Sequence, residues 1–251
     1  ETTLPQVLKK VGYQTSLIGK WHLGHGDSAF SPLQHGFDYS YGHTAGCVDY
    51  FTMDYGNTPD WYRNDVPIDE TGYATDLISQ ETISYLKNRD EKKPFFLFLA
   101  YNAPHFGKGW DDGNDKSINL LQPHPRDLEK VKYIQDPARR KYAAMVVALD
   151  DGIGKVLDYL DDAGIADNTL VIFMSDHGGD PNFGGNNGSL RAGKATLFEG
   201  GIKVPCIVRW PGKIKPNVES NTLSWAPDWF PTLASIAGAN TQNVLLDGQS
   251  I

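Results

Sequence analysis

The stretch Thr15-Ser-Leu-Ile-Gly-Lys-Trp-His-Leu-Gly24 joins a short apolar run to a cation and an imidazole two positions apart. Two later segments repeat this arrangement: residues 94–100 precede Asn-Ala-Pro-His105, and residues 170–174 precede Ser-Asp-His-Gly-Gly179. Each apolar run is typical of a buried parallel strand that breaks into a polar turn. Ligand sites in open α/β sheets gather beyond the carboxyl ends of the strands. The sequence therefore predicts one pocket shared by three strand ends.

The rest of the chain alternates between helical and strand patterns. Helices are predicted over residues 4–11, 73–88, 137–163 and 227–237, and strands over 15–18, 94–100, 170–174 and 204–210. This alternation predicts an α/β fold with a mostly parallel sheet and helices on both faces. Long excursions at about 25–67 and 106–135 interrupt it. The first is rich in aromatic residues, which could stack on sugar or aryl groups or pack a satellite core.

Composition narrows the function classes. The 251 residues can form one large α/β domain or two small ones. A formal net charge of -8 argues against a nucleic-acid surface, although a few buried cations can still bind an anion. No apolar run approaches the roughly 20 residues that span a bilayer. Cys47 and Cys206 lack the spacing of a zinc or redox pair. Cys206 is predicted to be strand core, and Cys47 has no assignment.

Four basic side chains are candidates for binding an anion. Lys20 and His22 are separated by one residue, so they face the same side of an extended segment. A fixed cation beside an imidazole suits a tetrahedral oxyanion, because the cation binds the charge while the imidazole moves a proton. His105 follows a proline at a strand end, which favours a functional role. Lys194 lies on a glycine-flanked loop that can approach an anion closely.

Asp176 and His177 follow a predicted strand and could hold a metal ion. Asp is an oxygen ligand suited to calcium or magnesium, whereas His suits transition metals better. The alternative from spacing alone is a carboxylate that caps the following turn. His22 and His25 form an H-x-x-H spacing, but the glycines between and after them disfavour the helix that a zinc site needs. The other loop histidines, His35, His43 and His124, are expected to be solvated, with His43 the first candidate for an exception.

Two further motifs in the loop around residue 190 are weaker. Residues 188–195 depart from a phosphate-binding loop because Ala195 stands where Ser or Thr should hold magnesium. The tripeptide Asn187-Gly188-Ser189 matches a glycosylation sequon. Neither motif identifies a function by itself.

In combination, these motifs resemble the sulfatase family of the alkaline-phosphatase-like superfamily. The matching segments are G-K-W-H-L-G at 19–24, A-P-H at 103–105, L-D-D-G at 149–152, S-D-H-G at 175–178, and G-S-L-R-A-G-K at 188–194 leading to E-G-G-I at 199–202. They occur in family order over nearly the whole chain. The segments G-F-D-Y at 36–39 and G-C-V-D-Y-F at 46–51 look most like the arylsulfatase B and glycosaminoglycan-sulfatase branch.

The resemblance implies roles for individual residues. Lys20, His105 and Lys194 would hold the sulfate, and His105 or Lys194 would assist the leaving oxygen. His22 would lie beside the nucleophile and help to release the sulfated enzyme intermediate. Asp176 would be a calcium ligand, and His177 stands where many members have asparagine. The implied partner is a small-molecule or saccharide sulfate ester, and the implied location is periplasmic, secreted or lysosomal.

One departure from the family pattern concerns the nucleophile. The family uses a formylglycine made in a C-x-P-S-R-type motif, and neither Cys47 nor Cys206 lies in such a motif. The paired aspartates that complete the family's calcium site are also absent. Residues 1–251 are therefore expected to be a partial catalytic domain, incomplete at the N-terminus and lacking the C-terminal subdomain, and to be inactive alone.

The primary hypothesis is a sulfatase segment that takes part in hydrolysing a sulfate ester on a sugar, with calcium. A phosphodiester or phosphonate hydrolase of the same superfamily is the first alternative, because tetrahedral oxyanions resemble one another. A non-catalytic carbohydrate-binding relative is the second.

Overall fold

The computed structural model describes residues 1–251. The helices are α1 (Leu4–Lys9), α2 (Ala74–Asn88), α3 (Pro125–Lys130), α4 (Pro137–Asp162), α5 (Glu199–Ile202) and α6 (Trp229–Ile236). The strands are β1 (Gln14–Lys20), β2 (Tyr39–His43), β3 (Asp54–Tyr55), β4 (Thr58–Pro59), β5 (Tyr62–Arg63), β6 (Val66–Pro67), β7 (Phe95–Ala100), β8 (Gly107–Asp111), β9 (Lys116–Leu120), β10 (Val171–Met174) and β11 (Cys206–Arg209). No helix is both long and apolar enough to cross a bilayer.

Local sequence explains where the main helices begin and end. Thr3 and Gln6 form a capping box that starts α1. Asp136 accepts a hydrogen bond from the Arg139 amide at 2.7 Å, with Pro137 at the first helical position of α4. Gly164 takes a left-handed conformation directly after this helix, as a C-terminal glycine commonly does. All four predicted helices are confirmed to within a few residues.

The central sheet has the strand order β6-β5-β2-β1-β7. Strand β1 runs parallel to β2 on one side and to β7 on the other, while β5 and β6 add antiparallel edge strands. Gly19 has no room for a side chain between β1 and β7, because an added Cβ would lie 2.0 Å from the Ala100 carbonyl oxygen. The α/β fold with a parallel centre is confirmed.

Strands β10 and β11 pair with each other in antiparallel fashion and form a separate two-stranded sheet. The sequence predicted both strands but placed them in the parallel sheet, since an apolar run carries no information about its partner. Cys206 begins β11 and is exposed, so the prediction of a core thiol is wrong. Apolar side chains remain uncovered here and on the β7 edge, including Phe98 at 51% and Ile207 at 61% exposure.

The main core lies between the sheet and two helices. Ile18 of β1 packs with Ile78 of α2 and Met145 of α4. Leu17 faces the other side of the sheet, where it packs with Trp21 and Phe37, as alternation along a strand requires. The predicted excursion at 25–67 supplies β2 and much of the core, since Tyr41, Tyr50 and Trp61 are buried. The excursion at 106–135 holds the β8–β9 hairpin and α3.

Candidate functional site

The strand ends place Lys20 and His22 at the carboxyl edge of the central sheet. Lys20 is the last residue of β1 and lies opposite His43 of β2, while Gly19 lies opposite Ala100 of β7. The peptide N–H of His22 donates to the Thr44 carbonyl at 3.0 Å, which continues the β1–β2 pairing beyond the strand. His22 itself has a positive φ of 58°. A left-handed conformation is uncommon for a residue other than glycine, and such residues cluster at functional sites.

Asp60 fixes the loop that supports His22. Its buried carboxylate accepts hydrogen bonds from the Thr44 N–H at 3.0 Å, the Thr44 hydroxyl at 2.7 Å and the Ala45 N–H at 2.8 Å. Gly46 then passes against the imidazole, because an added Cβ would lie 2.6 Å from His22 Nε2. The position of His22 therefore depends on a carboxylate and a glycine that are remote from it in sequence.

His105 and Lys194 are in direct contact. Lys194 Nζ lies 2.9 Å from His105 Nε2, although the two residues are 89 positions apart. His105 Nδ1 lies 2.8 Å from the Phe106 carbonyl oxygen, so Nδ1 carries the proton and donates it there. Burial, together with the charges of Lys194 and Lys20, lowers the pKa of His105 to about 4. At neutral pH the imidazole is therefore neutral, and its Nε2 accepts a hydrogen bond from the Lys194 ammonium.

A dense set of backbone contacts holds the Lys194 loop against the turn after β10. The Lys194 N–H donates to the Gly179 carbonyl at 3.2 Å, and the Gly178 N–H donates to the Gly201 carbonyl at 2.9 Å. The Asn187 carboxamide accepts from the Gly179 N–H and donates to the Gly179 and Ala192 carbonyls. Since this amide is engaged in three hydrogen bonds, Asn187 is a structural clamp rather than a free glycosylation acceptor.

Electrostatic influences show that the basic groups share one region. Burial lowers the pKa of Lys20, with a further lowering from Lys194 and an opposite effect from Asp176. Burial also lowers the pKa of His22, and the charges of Lys20 and Lys194 lower it further. The pKa of His105 responds to Asp176 as well. Lys20, His105 and Lys194 therefore lie close enough for their charges to interact, with His22 near the two lysines and Asp176 near Lys20 and His105.

Asp176 and His177 lie side by side at the end of β10. His177 Nδ1 is 2.9 Å from the Gly178 carbonyl oxygen and donates to it, and its Nε2 lies 3.3 Å from the Asp176 carboxylate. The Asp176 side chain is 76% exposed. This carboxylate also accepts from the His177 N–H at 3.0 Å, as the capping alternative predicted. No group of three or more His, Cys, Asp or Glu side chains is arranged to hold a metal ion.

Three residues near the site were given no role from the sequence, although His43 was the first candidate for an exception among the loop histidines expected to be solvated. His43 is 1% exposed rather than solvated, its Nε2 has no hydrogen-bond partner, and burial lowers its pKa to about 3. Asn102 is buried with neither amide atom hydrogen-bonded. Cys47 is a buried thiol. Burial raises the pKa of this thiol, while the charges of Lys108, Lys20 and Lys194 lower it. For His43, the one usable signal is its position at the end of β2, opposite Lys20.

The two other loop histidines have local roles. His35 Nδ1 contacts the Ser31 carbonyl, and its ring packs on Trp21. His124 accepts from the Arg126 N–H at the start of α3. Neither lies in the cluster of basic groups described above.

Comparison with known proteins gives a consistent result. The family model described as Sulfatase matches residues 1–239. The chain is 36% identical to arylsulfatase J of Mus musculus over 99% of its own length and 41% of the relative. It is 35% identical to N-acetylgalactosamine-6-sulfatase of Homo sapiens over 95% of its own length and 45% of the relative. The chain thus spans less than half the length of these relatives.

A solved structure extends the similarity to the fold. The crystal structure of Ps i-CgsB in complex with k-i-k-neocarrahexaose superimposes with a TM-score of 0.88 at 34% sequence identity. The match covers 99% of this chain and 56% of the solved one. The similarity therefore includes the central sheet, the separate β10–β11 pair and the loops that carry the basic residues.

Proposed function

This chain belongs to the sulfatase family, and from that premise we propose that the protein carrying it hydrolyses sulfate esters on sugars. The observation that carries the proposal is the contact between Lys194 and His105, 2.9 Å apart at the edge where β1 also delivers Lys20. A sulfate ester has a tetrahedral, anionic head. Two ammonium groups and a hydrogen-bonding imidazole on one side of a pocket suit such a group.

In this proposal Lys20, His105 and Lys194 bind the sulfate. Charge that develops on the sulfate oxygens and on the leaving oxygen would be neutralised by the two ammonium groups. Because the neutral His105 has its proton on Nδ1, directed to the Phe106 carbonyl, the group beside Nε2 that carries a proton is the Lys194 ammonium. Lys194 is therefore assigned as the proton donor to the leaving oxygen, with His105 as the group that orients it.

His22 is proposed to accept a proton when the sulfated enzyme breaks down. Its pKa lies below the usual value because of burial and the nearby Lys20, so the imidazole is mostly neutral at pH 7 and can act as a base. The nucleophile is proposed to be a formylglycine located outside residues 1–251, as the family resemblance implies. The residues described here bind, orient and move protons around that nucleophile.

Calcium is proposed as the metal, with Asp176 and His177 among its ligands. The donor set fits in part: the Asp176 carboxylate and the His177 Nε2 lie 3.3 Å apart on the same turn. Calcium takes six to eight oxygen ligands, so these two side chains would supply only a minority of its ligands. When bound, the cation would contribute positive charge at the sulfate oxygens.

A sugar is proposed as the carrier of the sulfate because two of the similar proteins are named for, or solved with, carbohydrates. The test is to compare kcat/KM of the full protein on matched 4-nitrophenyl sulfate and phosphate esters, and on a sulfated monosaccharide. Preference for the sulfates is expected. A higher kcat/KM on the phosphate ester would instead favour a phosphoester hydrolase, and no turnover of any ester would favour the carbohydrate-binding alternative.

A further inference from the structure

The hairpin formed by β8 and β9 begins two residues after His105 and carries a cation outside the cluster described above. On one face, Gly107 and Gly109 allow close packing on the Cys47 loop. An added Cβ at Gly107 would lie 1.8 Å from the Gln122 side-chain oxygen and 3.0 Å from the Val48 carbonyl oxygen, and one at Gly109 would lie 3.0 Å from Leu120 Cδ1. At Gly107, the missing side chain therefore lets the hairpin pack closely on Gln122 and on the loop after Cys47.

The opposite face of the hairpin presents a cation, an amide and an aromatic ring. Lys108 Nζ donates to the Asn119 side-chain oxygen at 3.0 Å and lies 5.7 Å from the centre of the Tyr55 ring. The Gly56 N–H donates to the Lys108 carbonyl at 3.0 Å, which joins the hairpin to the turn after Tyr55. Tyr55 is 43% exposed. These three side chains are held together by contacts between two separate hairpins.

The Lys108 ammonium affects the pKa of the same buried thiol, Cys47, as the ammonium groups of Lys20 and Lys194 do. Among the charges that lower the pKa of the buried Cys47 thiol, that of Lys108 has the largest effect, ahead of Lys20 and Lys194. Lys108 itself forms no ion pair with a carboxylate; its partners are the Asn119 oxygen and the Tyr55 ring. Its charge is therefore available to an anion that approaches the pocket.

Spacing along the chain limits how far Lys108 lies from the scissile group. Lys108 follows His105 by three positions, and an extended chain advances about 3.3 Å per residue, so the two Cα atoms are at most about 10 Å apart. The Lys108 ammonium contacts Asn119 and the Tyr55 ring, not His105 or Lys194. A cation that is near His105 along the chain but outside its hydrogen bonds suits a group on the adjacent unit of a saccharide.

We propose that Lys108, Asn119 and Tyr55 form a subsite for a second anionic group, a sulfate ester or a carboxylate, on the sugar next to the one that is desulfated. Lys108 supplies the charge, Asn119 holds the ammonium in place and can hydrogen-bond a hydroxyl, and the Tyr55 ring offers its face to the sugar. This assignment rests on the proposed sugar-sulfatase function and makes the preferred substrate a saccharide with anionic groups on neighbouring units.

The test compares Lys108→Gln with Lys116→Gln, which removes an exposed lysine from the other strand of the same hairpin. Four substrates are used: 4-nitrophenyl sulfate, and sulfated disaccharides whose second sugar is neutral, sulfated or a uronate. Lys108→Gln is expected to raise KM about tenfold or more for the substrates with an anionic second sugar, since a charge-assisted hydrogen bond is lost. Its kcat, and its KM for the other two substrates, should stay within about twofold of the unmodified protein. The sulfated and uronate substrates show which anion the subsite prefers.

The tyrosine provides a second variant: Tyr55→Ala should raise KM for all three disaccharides but not for the aryl sulfate. Two results would overturn the subsite. One is loss of activity on the aryl sulfate in Lys108→Gln. The other is a KM for each substrate that is the same in Lys108→Gln as in Lys116→Gln. If the unmodified protein hydrolyses no sulfate ester, the proposed function fails, and calorimetric binding of the disulfated disaccharide then decides the subsite. Weaker binding by Lys108→Gln but not by Lys116→Gln would support it, and equal binding by both would overturn it.

Discussion

Replacing Lys194 by methionine tests the contact on which the proposed function depends. The substitution keeps a flexible apolar stem but removes the ammonium that lies 2.9 Å from His105 Nε2. If this ammonium stabilises the developing charge, kcat should fall about 100- to 1,000-fold, equivalent to about 3–4 kcal/mol, as for loss of one preorganised donor. The loss should appear in kcat and kcat/KM together, because the interaction strengthens in the transition state.

The same substitution should raise the pKa of His105. Two unit charges 4 Å apart repel by about 4 kcal/mol at an effective dielectric constant of 20, so the neighbouring ammonium strongly opposes protonation of the imidazole. Burial, the largest cause of the low value of about 4, stays in place. The pKa should therefore move up towards the ordinary 6.5 without passing it, and the acid limb of the kcat/KM profile should move in the same direction.

The assay is hydrolysis of 4-nitrophenyl sulfate between pH 4 and 9 by the full protein, combined with NMR titration of the histidine C2 protons. His105→Gln assigns the resonance. Lys203→Met serves as the matched control, since Lys203 is exposed nine positions further along the chain. A kcat for Lys194→Met within twofold of the unmodified protein would refute the catalytic assignment. An unchanged His105 pKa would refute the electrostatic reasoning.

Three further outcomes follow from the structure. His43 is neutral in the fold, with a pKa lowered from 6.5 to about 3, so the unfolded chain takes up a proton between these values. The free energy of unfolding should therefore fall as pH drops from 6.5 to 3, by up to about 5 kcal/mol. His43→Gln should flatten that slope in urea denaturation at several pH values, and an equally steep slope would contradict the assignment. Asp176→Asn should weaken calcium binding in calorimetry about tenfold or more, because ligand charge sets affinity; unchanged affinity would exclude Asp176 as a ligand. Asn187→Ala removes three hydrogen bonds from the Lys194 loop, so limited proteolysis within residues 178–201 should accelerate and kcat should fall, whereas identical cleavage rates would argue against the clamp.

The sequence predicted the elements that depend on local pattern. The helix α4 has a proline start, a 3.6-residue apolar stripe and a glycine end, all readable within one segment. The strands β7 and β10 are continuous apolar runs that lead into polar turns, and β1 has the shorter apolar pair Leu17-Ile18 before its polar end. Strand β2 was missed because Tyr39-Ser-Tyr-Gly-His43 has no apolar run; its backbone is held by pairing along β1, residue by residue from Ser16 to Lys20.

The aromatic residues of the first excursion illustrate a question that pattern could not decide. Tyr41, Tyr50 and Trp61 are buried in the main core, whereas Phe51 and Tyr55 remain more than 40% exposed. Both environments stabilise an aromatic ring, so composition favours neither. Whether a ring is buried depends on the surface that packs against it. For the buried rings, part of this surface is contributed by α2 and by the turn before His105, which come later in the chain.

By itself, the sequence determined which chemical groups this protein can bring to a site: a lysine, two imidazoles and a carboxylate at or just after predicted strands, and a second lysine on a glycine-flanked loop. Only the tertiary structure decided which of them meet. Lys194 contacts His105 because the glycines of its loop pack against the turn after β10, and His22 is held by Asp60 through a loop of β2. Such contacts depend on closing long segments of chain against one another. Their free energy comes from packing and hydrogen bonds between residues that are distant in the chain, and local sequence patterns carry no information about such pairs.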